Sequence, residues 1–441
     1  MTAQIILSLS ILVGLHELGH LLAAKLFKMR VDQYSIGFPP KVFGIKYGET
    51  EYSIGAIPLG GYVKIAGMID ESLDTAAMKE PPKEYEFRSK PAWQRLIVMM
   101  GGIIVNVITG VVIFICLAYF FGDNYISNDE VNKNGIYAKE LGKEIGFQTG
   151  DKILLINGKE FERFEDTYSA EMLLTNNSYY TVERNGERIE LFVPSDFIEK
   201  FSDSRWKNNF IEPLVQFKVG AVDPGSEADR IGLQTGDKII SFAGDPVKYY
   251  QDFVTEKEKY ANKDVSLSIL RGEQVINLEA KLDSTAMFGF EADTGLELSH
   301  VDYSFGTSIV EGTKTAFSAV WVNAKAIGKI FSGDMNPSKS LMGPIRIATE
   351  IFGGTWDWVR FWSITGLLSM ILAFMNFLPI PALDGGHVMF LSFEIISGRK
   401  PSDKFLEVAQ KFGMVILLLL MAFVIFNDIF RLDFVQNLFG N

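Results

Sequence analysis

The chain alternates between long apolar runs and mixed polar stretches. Four runs, at residues 5–27, 96–121, 359–378 and 412–430, are long and apolar enough to cross about 30 Å of hydrocarbon as helices. Between the first two, residues 31–67 are rich in aromatic, β-branched, Gly and Pro residues, as in Tyr34-Ser35-Ile36-Gly37-Phe38-Pro39-Pro40 and Ile57-Pro58-Leu59-Gly60-Gly61-Tyr62-Val63-Lys64. Alternation with frequent breakers predicts short strands joined by turns. Such backbone enters a membrane only under cover of protein or a wet cavity. Composition therefore fits a re-entrant β-segment and a small sheet lying on the membrane surface equally well. Helical period returns over residues 305–357, where Phe317, Val320, Trp321, Ala324 and Ile327 recur at three-to-four spacing with Lys314, Lys325 and Lys329 interleaved. This predicts an amphipathic helix, at the outer membrane surface or against neighbouring modules, that breaks at Met342-Gly343-Pro344.

The stretch between the second and third runs contains an internal repeat. Ile145-Gly146-Phe147-Gln148-Thr149-Gly150-Asp151-Lys152-Ile153 returns as Ile231-Gly232-Leu233-Gln234-Thr235-Gly236-Asp237-Lys238-Ile239, at an offset of 86 residues. The same offset carries Asn185-Gly186-Glu187 onto Arg271-Gly272-Glu273. Each copy reads as a small β-rich module with a Gly-Asp turn and a late hairpin.

Charge and cysteine content narrow the class. The 441 residues carry a net charge of −12, and the imbalance is local: residues 122–300 hold 33 Asp+Glu against 20 Lys+Arg. An acidic segment between near-neutral membrane segments argues against nucleic acid as a partner. The single Cys116 excludes an intramolecular disulfide and a cysteine-based metal site. The first run lacks a basic segment ahead of it, so it reads as a retained span rather than a cleaved signal. Lys25, Lys28 and Arg30 follow that run, Arg88, Lys90 and Arg95 precede the second, and Arg399, Lys400, Lys404 and Lys411 separate the last two. The bias of basic residues puts loops 28–95 and 387–411 in the cytoplasm, and both termini with the 122–358 segment on the opposite side.

The first run also carries the one dense polar cluster, His16-Glu17-Leu18-Gly19-His20. On a helix the two histidines fall on one face, four residues apart, where two imidazoles can hold one metal ion. Glu17 lies beside them, where a general base acts. At 1.5 Å rise per residue, His20 and His16 lie about 8 and 14 Å from Lys25, in the cytoplasmic half of the bilayer. An ionisable side chain at membrane depth costs roughly 2.5–3.5 kcal/mol and is generally kept for function. A second such group is Asp384, after Asn376, Pro379 and Pro381, in an apolar setting that continues to Ile396. A lone acid there needs a cation. Two histidines and a carboxylate leave a fourth position for water, which is how catalytic zinc is held. Read alone, the histidines could instead glue helices together, and His387 is a further ligand candidate, placed near the cytoplasmic mouth.

Together these motifs resemble the site-2 protease family of intramembrane zinc metalloproteases: His16-Glu17-x-x-His20 in the first span, Ile57 to Lys64, Asn106 in the second span, two tandem modules, Asn376 with Pro379 and Pro381, then Leu383-Asp384-Gly385. The repeat itself resembles the PDZ domain, and Val222-Asp223-Pro224-Gly225-Ser226 in the second copy adds to that likeness. The resemblance implies that His16, His20 and Asp384 ligate Zn2+ and that Glu17 is the catalytic base. It further implies that Asn376, Ile57, Gly60, Gly61 and Tyr62 contact an unwound substrate helix, and that the PDZ pair outside the cytoplasm admits only substrates trimmed by a first protease. Two departures stand out, Gly102-Ile103 where relatives often have Gly-Pro, and Ile371 where many carry a polar residue.

The expected fold is a polytopic α-helical membrane protein of four spans with a re-entrant β-segment and two tandem PDZ-like β-rich domains. Residues 1–121 form a membrane region, 122–211 and 212–300 the two modules, 301–358 a helical connector, and 359–441 the last spans with the third ligand. The expected function is regulated intramembrane proteolysis in a bacterial inner membrane, on a single-span substrate such as an anti-sigma factor or a signal-peptide remnant. PDZ modules bind chain ends by strand addition, so a membrane scaffold without catalysis is the alternative, and modules that act only as spacers fit the repeat as well.

Overall fold

The structure is a computed structural model that describes residues 2–68, 81–194, 196–202, 209–353 and 355–430. The chain forms two compact units, one of Met1–Gly122, Asp302–Ser332 and Asn336–Asn441, the other of Asp123–Val301 and Gly333–Met335.

The first unit contains α1 (Thr2–Leu26), β1 (Val31–Tyr47), β2 (Thr50–Ile65), α2 (Ala92–Phe121), α3 (Phe305–Ser332), α4 (Trp358–Phe377), α5 (Asp384–Ser397) and α6 (Asp403–Phe430). Among the described residues, α1, α2, α4 and α6 contain the segments long and apolar enough to cross a membrane, matching the four apolar runs. Helices suit that role because their backbone groups are satisfied within the segment. In lipid, close packing replaces the hydrophobic drive, so small residues mark the crossings. A Cβ on Gly19 would lie 2.2 Å from the Gly101 carbonyl oxygen, and one on Gly110 would lie 2.5 Å from Met370 Sδ. Two buried hydroxyls add polar ties: Thr365 Oγ1 lies 3.0 Å from Ser8 Oγ, and Ser369 Oγ donates to the Asn106 carbonyl at 2.8 Å. α2 is the centre of this unit, in contact with α1, α3, α4 and α5.

α3 packs through its small residues. Besides Lys329 near its end, its buried positions are Ser308, Gly312 and Ala316, a stripe of small residues that lies on α2 and α4, and a Cβ on Gly312 would come within 2.5 Å of the Ile115 nitrogen. Phe317 and Trp321, on the apolar stripe, are exposed, as a helix lying at a membrane surface leaves them. The small residues win because they allow backbone approach that bulky ones prevent. The expected break follows, with short turns at Pro337–Ser340 and Pro344–Arg346; Asp428 of α6 pins the second, accepting from the backbone N–H groups of Gly343, Ile345 and Arg346.

The β-segment is two long bent strands rather than several short ones. Gln33 pairs with both Lys64 and Glu51, and Ile36 with both Gly61 and Ile54, so the first half of β1 is a central strand flanked on either side by parts of β2. The expected breakers mark bends: Gly37 has φ +92°, and a Cβ on Gly55 would lie 2.2 Å from the Phe38 carbonyl oxygen. Residues 61–65 therefore form an edge, bonded to β1 on one side and to no strand on the other among the described residues.

In the second unit the repeat is visible atom by atom. Asp151 Oδ2 accepts from the Gln148 N–H and Asp237 Oδ2 from the Gln234 N–H, both at 2.8 Å, with Gly150 and Gly236 at φ +98° and +93°. Arg184 grips Asp151 with two hydrogen bonds and donates to the Gly146 carbonyl, and Arg271 does the same to Asp237 and Gly232. The two arginines are 87 residues apart, not 86. Arg184 pairs with Glu187 across its hairpin and Arg271 with Gln274, so the glycines of the two turns, aligned by sequence, occupy different turn positions. Side-chain chemistry, rather than glycine identity, sets the register.

Candidate metal centre

α1 carries His16, Glu17 and His20 on its inner side, with the two histidines 9 % and 5 % exposed. The third group arrives from the far end of the chain. Pro379 and Pro381 stop α4, the backbone turns through Ala382 at φ +82°, and α5 starts at Asp384. The next two residues must be glycine, since a Cβ on Gly385 would lie 2.1 Å from the Leu378 oxygen and one on Gly386 2.7 Å from the Ile380 oxygen. That tight return sets Asp384 against the histidines.

His16 Nε2 and His20 Nε2 are 3.3 Å apart, and Asp384 Oδ2 lies 3.2 and 3.3 Å from them. These three atoms form a nearly equilateral triangle. For ligands at about 2.0–2.1 Å, the edge of a tetrahedron around zinc is about 3.3–3.4 Å. Asp384 Oδ2 is buried without a hydrogen-bond partner, and such an orphan calls for a cation. The residues present therefore fit zinc with one tetrahedral position left over. Among the described residues no other group of His, Cys, Asp and Glu has this arrangement.

α2 backs both imidazoles. His20 Nδ1 is 2.8 Å from the Val98 carbonyl oxygen, so it donates there and leaves Nε2 free. His16 Nδ1 is 3.0 Å from the Asn106 amide. Gly102 lies between them, where an added Cβ would sit 2.5 Å from His20 Nε2 and 2.6 Å from His16 Cε1.

The triangle opens on a cavity of about 660 Å³. Glu17 lines it and accepts a hydrogen bond from the Val63 backbone N–H. Residues 60–65 of β2 and Asn376 of α4 line it, so Gly60, Gly61, Tyr62 and Asn376 share a cavity with the candidate metal-binding atoms. Ile57 does not: it is 45 % exposed and pairs with Phe38 before the strand bends toward the cavity. Among the lining residues outside the sequence-based set are Phe38, Gln410 and Met414, and His387, placed by sequence near the cytoplasmic mouth, joins Gln410 at 2.7 Å. A single amide one turn before an apolar run, as Gln410 is, reads as a flanking residue and carries no signal of its own.

The profile of peptidase family M50 matches residues 4–420. The regulator of sigma-E protease RseP of Escherichia coli is 28 % identical over 98 % of this chain and 98 % of its own length. RseP of Salmonella typhimurium is 27 % identical over the same shares. A Neisseria meningitidis protein named as a candidate zinc metalloprotease is 27 % identical over 97 % of this chain and 98 % of its own. With the whole-chain match beside a triangle of side chains that fits zinc, the chain belongs to peptidase family M50, the site-2 protease family, and is a zinc metalloprotease.

Proposed function

We propose that this protease cuts a transmembrane helix of a single-span protein inside the bilayer of a bacterial inner membrane. His16, His20 and Asp384 hold the zinc and Glu17 is the base. Bound zinc supplies Lewis acidity to a carbonyl and makes water acidic enough to lose a proton near neutral pH. Glu17, held by the Val63 N–H, takes that proton and returns it to the leaving amine. A helical substrate hides its carbonyls in its own hydrogen bonds and must unwind, which leaves backbone groups costly to bury unpaired. The edge at residues 61–65 offers replacement partners, and Asn376 lines the same cavity. The observation that carries this reading is the open strand edge in the same cavity as the ligand triangle.

In this reading the β-segment is re-entrant, the active site lies in the cytoplasmic half of the membrane, and the repeated modules are periplasmic PDZ-like domains. They act as a filter for substrates already cut on that side. An anti-sigma factor fits such a substrate, in line with the names of the relatives. The test is cleavage of a panel of single-span peptides in detergent. Apolar spans with a short outer stub should be cut, and a zinc chelator should abolish cutting. Cleavage that persists in chelator, or that prefers soluble unfolded peptides, contradicts the proposal.

A further inference from the structure

Asn106 is fully buried in the middle of α2, in a span otherwise without charged or amide side chains after Arg95. Burying an amide costs free energy unless it is hydrogen-bonded. Its nitrogen lies 3.0 Å from His16 Nδ1, and its oxygen, also buried, has no partner. The two ends of an amide exchange places by a half-turn about the last side-chain bond, and the network decides which is correct. One end is left without a partner in either orientation, so His16 decides. An imidazole that gives Nε2 to a metal carries its proton on Nδ1, and that proton needs an acceptor. The amide oxygen can accept it and the amide nitrogen cannot.

We infer that Asn106 is a positioning residue for the metal: its side-chain oxygen accepts the His16 Nδ1 proton, fixes the tautomer and aims Nε2 at the ion. Positions 98, 102 and 106 lie four residues apart on one face of α2. They serve the pair of ligands in turn, a backbone carbonyl for His20, a missing side chain between the rings, and an amide for His16. His20 takes its acceptor from the main chain, which mutation leaves in place. His16 depends on a side chain, so its half of the site is the one open to test.

The experiment measures zinc affinity by chelator competition on the purified full chain in detergent. Asn106→Leu keeps the branching at Cγ and removes the acceptor, and should weaken zinc by about 10- to 100-fold. Asn106→Asp keeps an acceptor and should recover most of that loss. Ser369→Ala removes the other tie at this point of α2, the hydroxyl on the Asn106 carbonyl, and should leave affinity unchanged. Unchanged affinity in Asn106→Leu, or an Asp variant as weak as the Leu one, overturns the inference. A second measurement needs no variant. The chain has 4 histidines, so their ring nitrogens can be labelled and resolved by NMR in the zinc-loaded protein. His16 should show a protonated Nδ1 and a metal-bound Nε2, and the reverse assignment overturns the inference. It rests on zinc being held by His16 and His20, and parent protein that binds no zinc would refute that reading instead.

Discussion

Adding one methyl group at Gly102 tests the geometry of the ligand triangle. In Gly102→Ala the new Cβ would lie 2.5 Å from His20 Nε2, 2.6 Å from His16 Cε1 and 2.7 Å from His16 Nδ1, where ordinary contact begins at 3.4 Å. The rings must retreat by about 0.7–0.9 Å, several times the roughly 0.2 Å within which metal–ligand distances hold. The helices cannot part instead without breaking the Gly19–Gly101 contact and, with it, the His20–Val98 hydrogen bond. Either route displaces a ligand. The loss should be at least that of removing an outer-shell partner, about 10- to 100-fold in zinc affinity, or about 1.4–2.8 kcal/mol. Helix propensity works in the other direction, since Ala is favoured over Gly by about 1 kcal/mol. The variant should therefore fold and lose metal. The assay is zinc content by mass spectrometry after dialysis, with peptide cleavage alongside. A Gly102→Ala protein that keeps wild-type zinc affinity and turnover refutes the view that α2 braces the rings.

Two further outcomes follow from other contacts. Val63→Pro removes the N–H that Glu17 accepts while sparing the bonds of Tyr62 and Lys64, which alternate toward β1; a hydrogen bond to a charged group contributes about 1.5–3 kcal/mol, so cleavage should fall roughly 10- to 150-fold with zinc content unchanged. In the second unit, burial would raise the Asp237 carboxyl, but the hydrogen bonds from Arg271 and from the Gln234 N–H outweigh it and hold the carboxyl below its ordinary value of 3.8. A depressed folded value contributes stability above about pH 4 that is lost as pH falls further. Arg271→Met should therefore move acid loosening of residues 218–293 to higher pH, as read by hydrogen exchange on the full chain, and an unmoved transition contradicts the assignment.

Much of the candidate site could be read along the chain because lipid makes polarity conspicuous. His16, His20 and Asp384 are separated by up to 368 residues, yet each is an ionisable group in an apolar run, and the i, i+4 spacing fixes the face of α1. The four spans follow from length and apolarity alone. What escaped has a common cause: it depends on what lies across a gap. Gly102 is an ordinary glycine until an imidazole is set against it. Gln410 is an ordinary flanking amide until α6 brings it to His387. Ile57 was grouped with Gly60 and Gly61 because they are neighbours in sequence, but it is exposed and the strand lines the cavity only from Gly60 onward. On α3, period picked out the bulky apolar residues, while the stripe of Ser308, Gly312 and Ala316 that packs carries no apolar signal and depends on a helix backbone set against it.

The central claim is that Glu17 is the base beside a zinc ion held by residues from both ends of the chain. The measurement is single-turnover cleavage of a transmembrane peptide by Glu17→Gln, with zinc content determined on the same sample. The account predicts full zinc occupancy and a rate lower by about 10²- to 10⁴-fold. A zinc-loaded Glu17→Gln protein that cuts at the parent rate would contradict it.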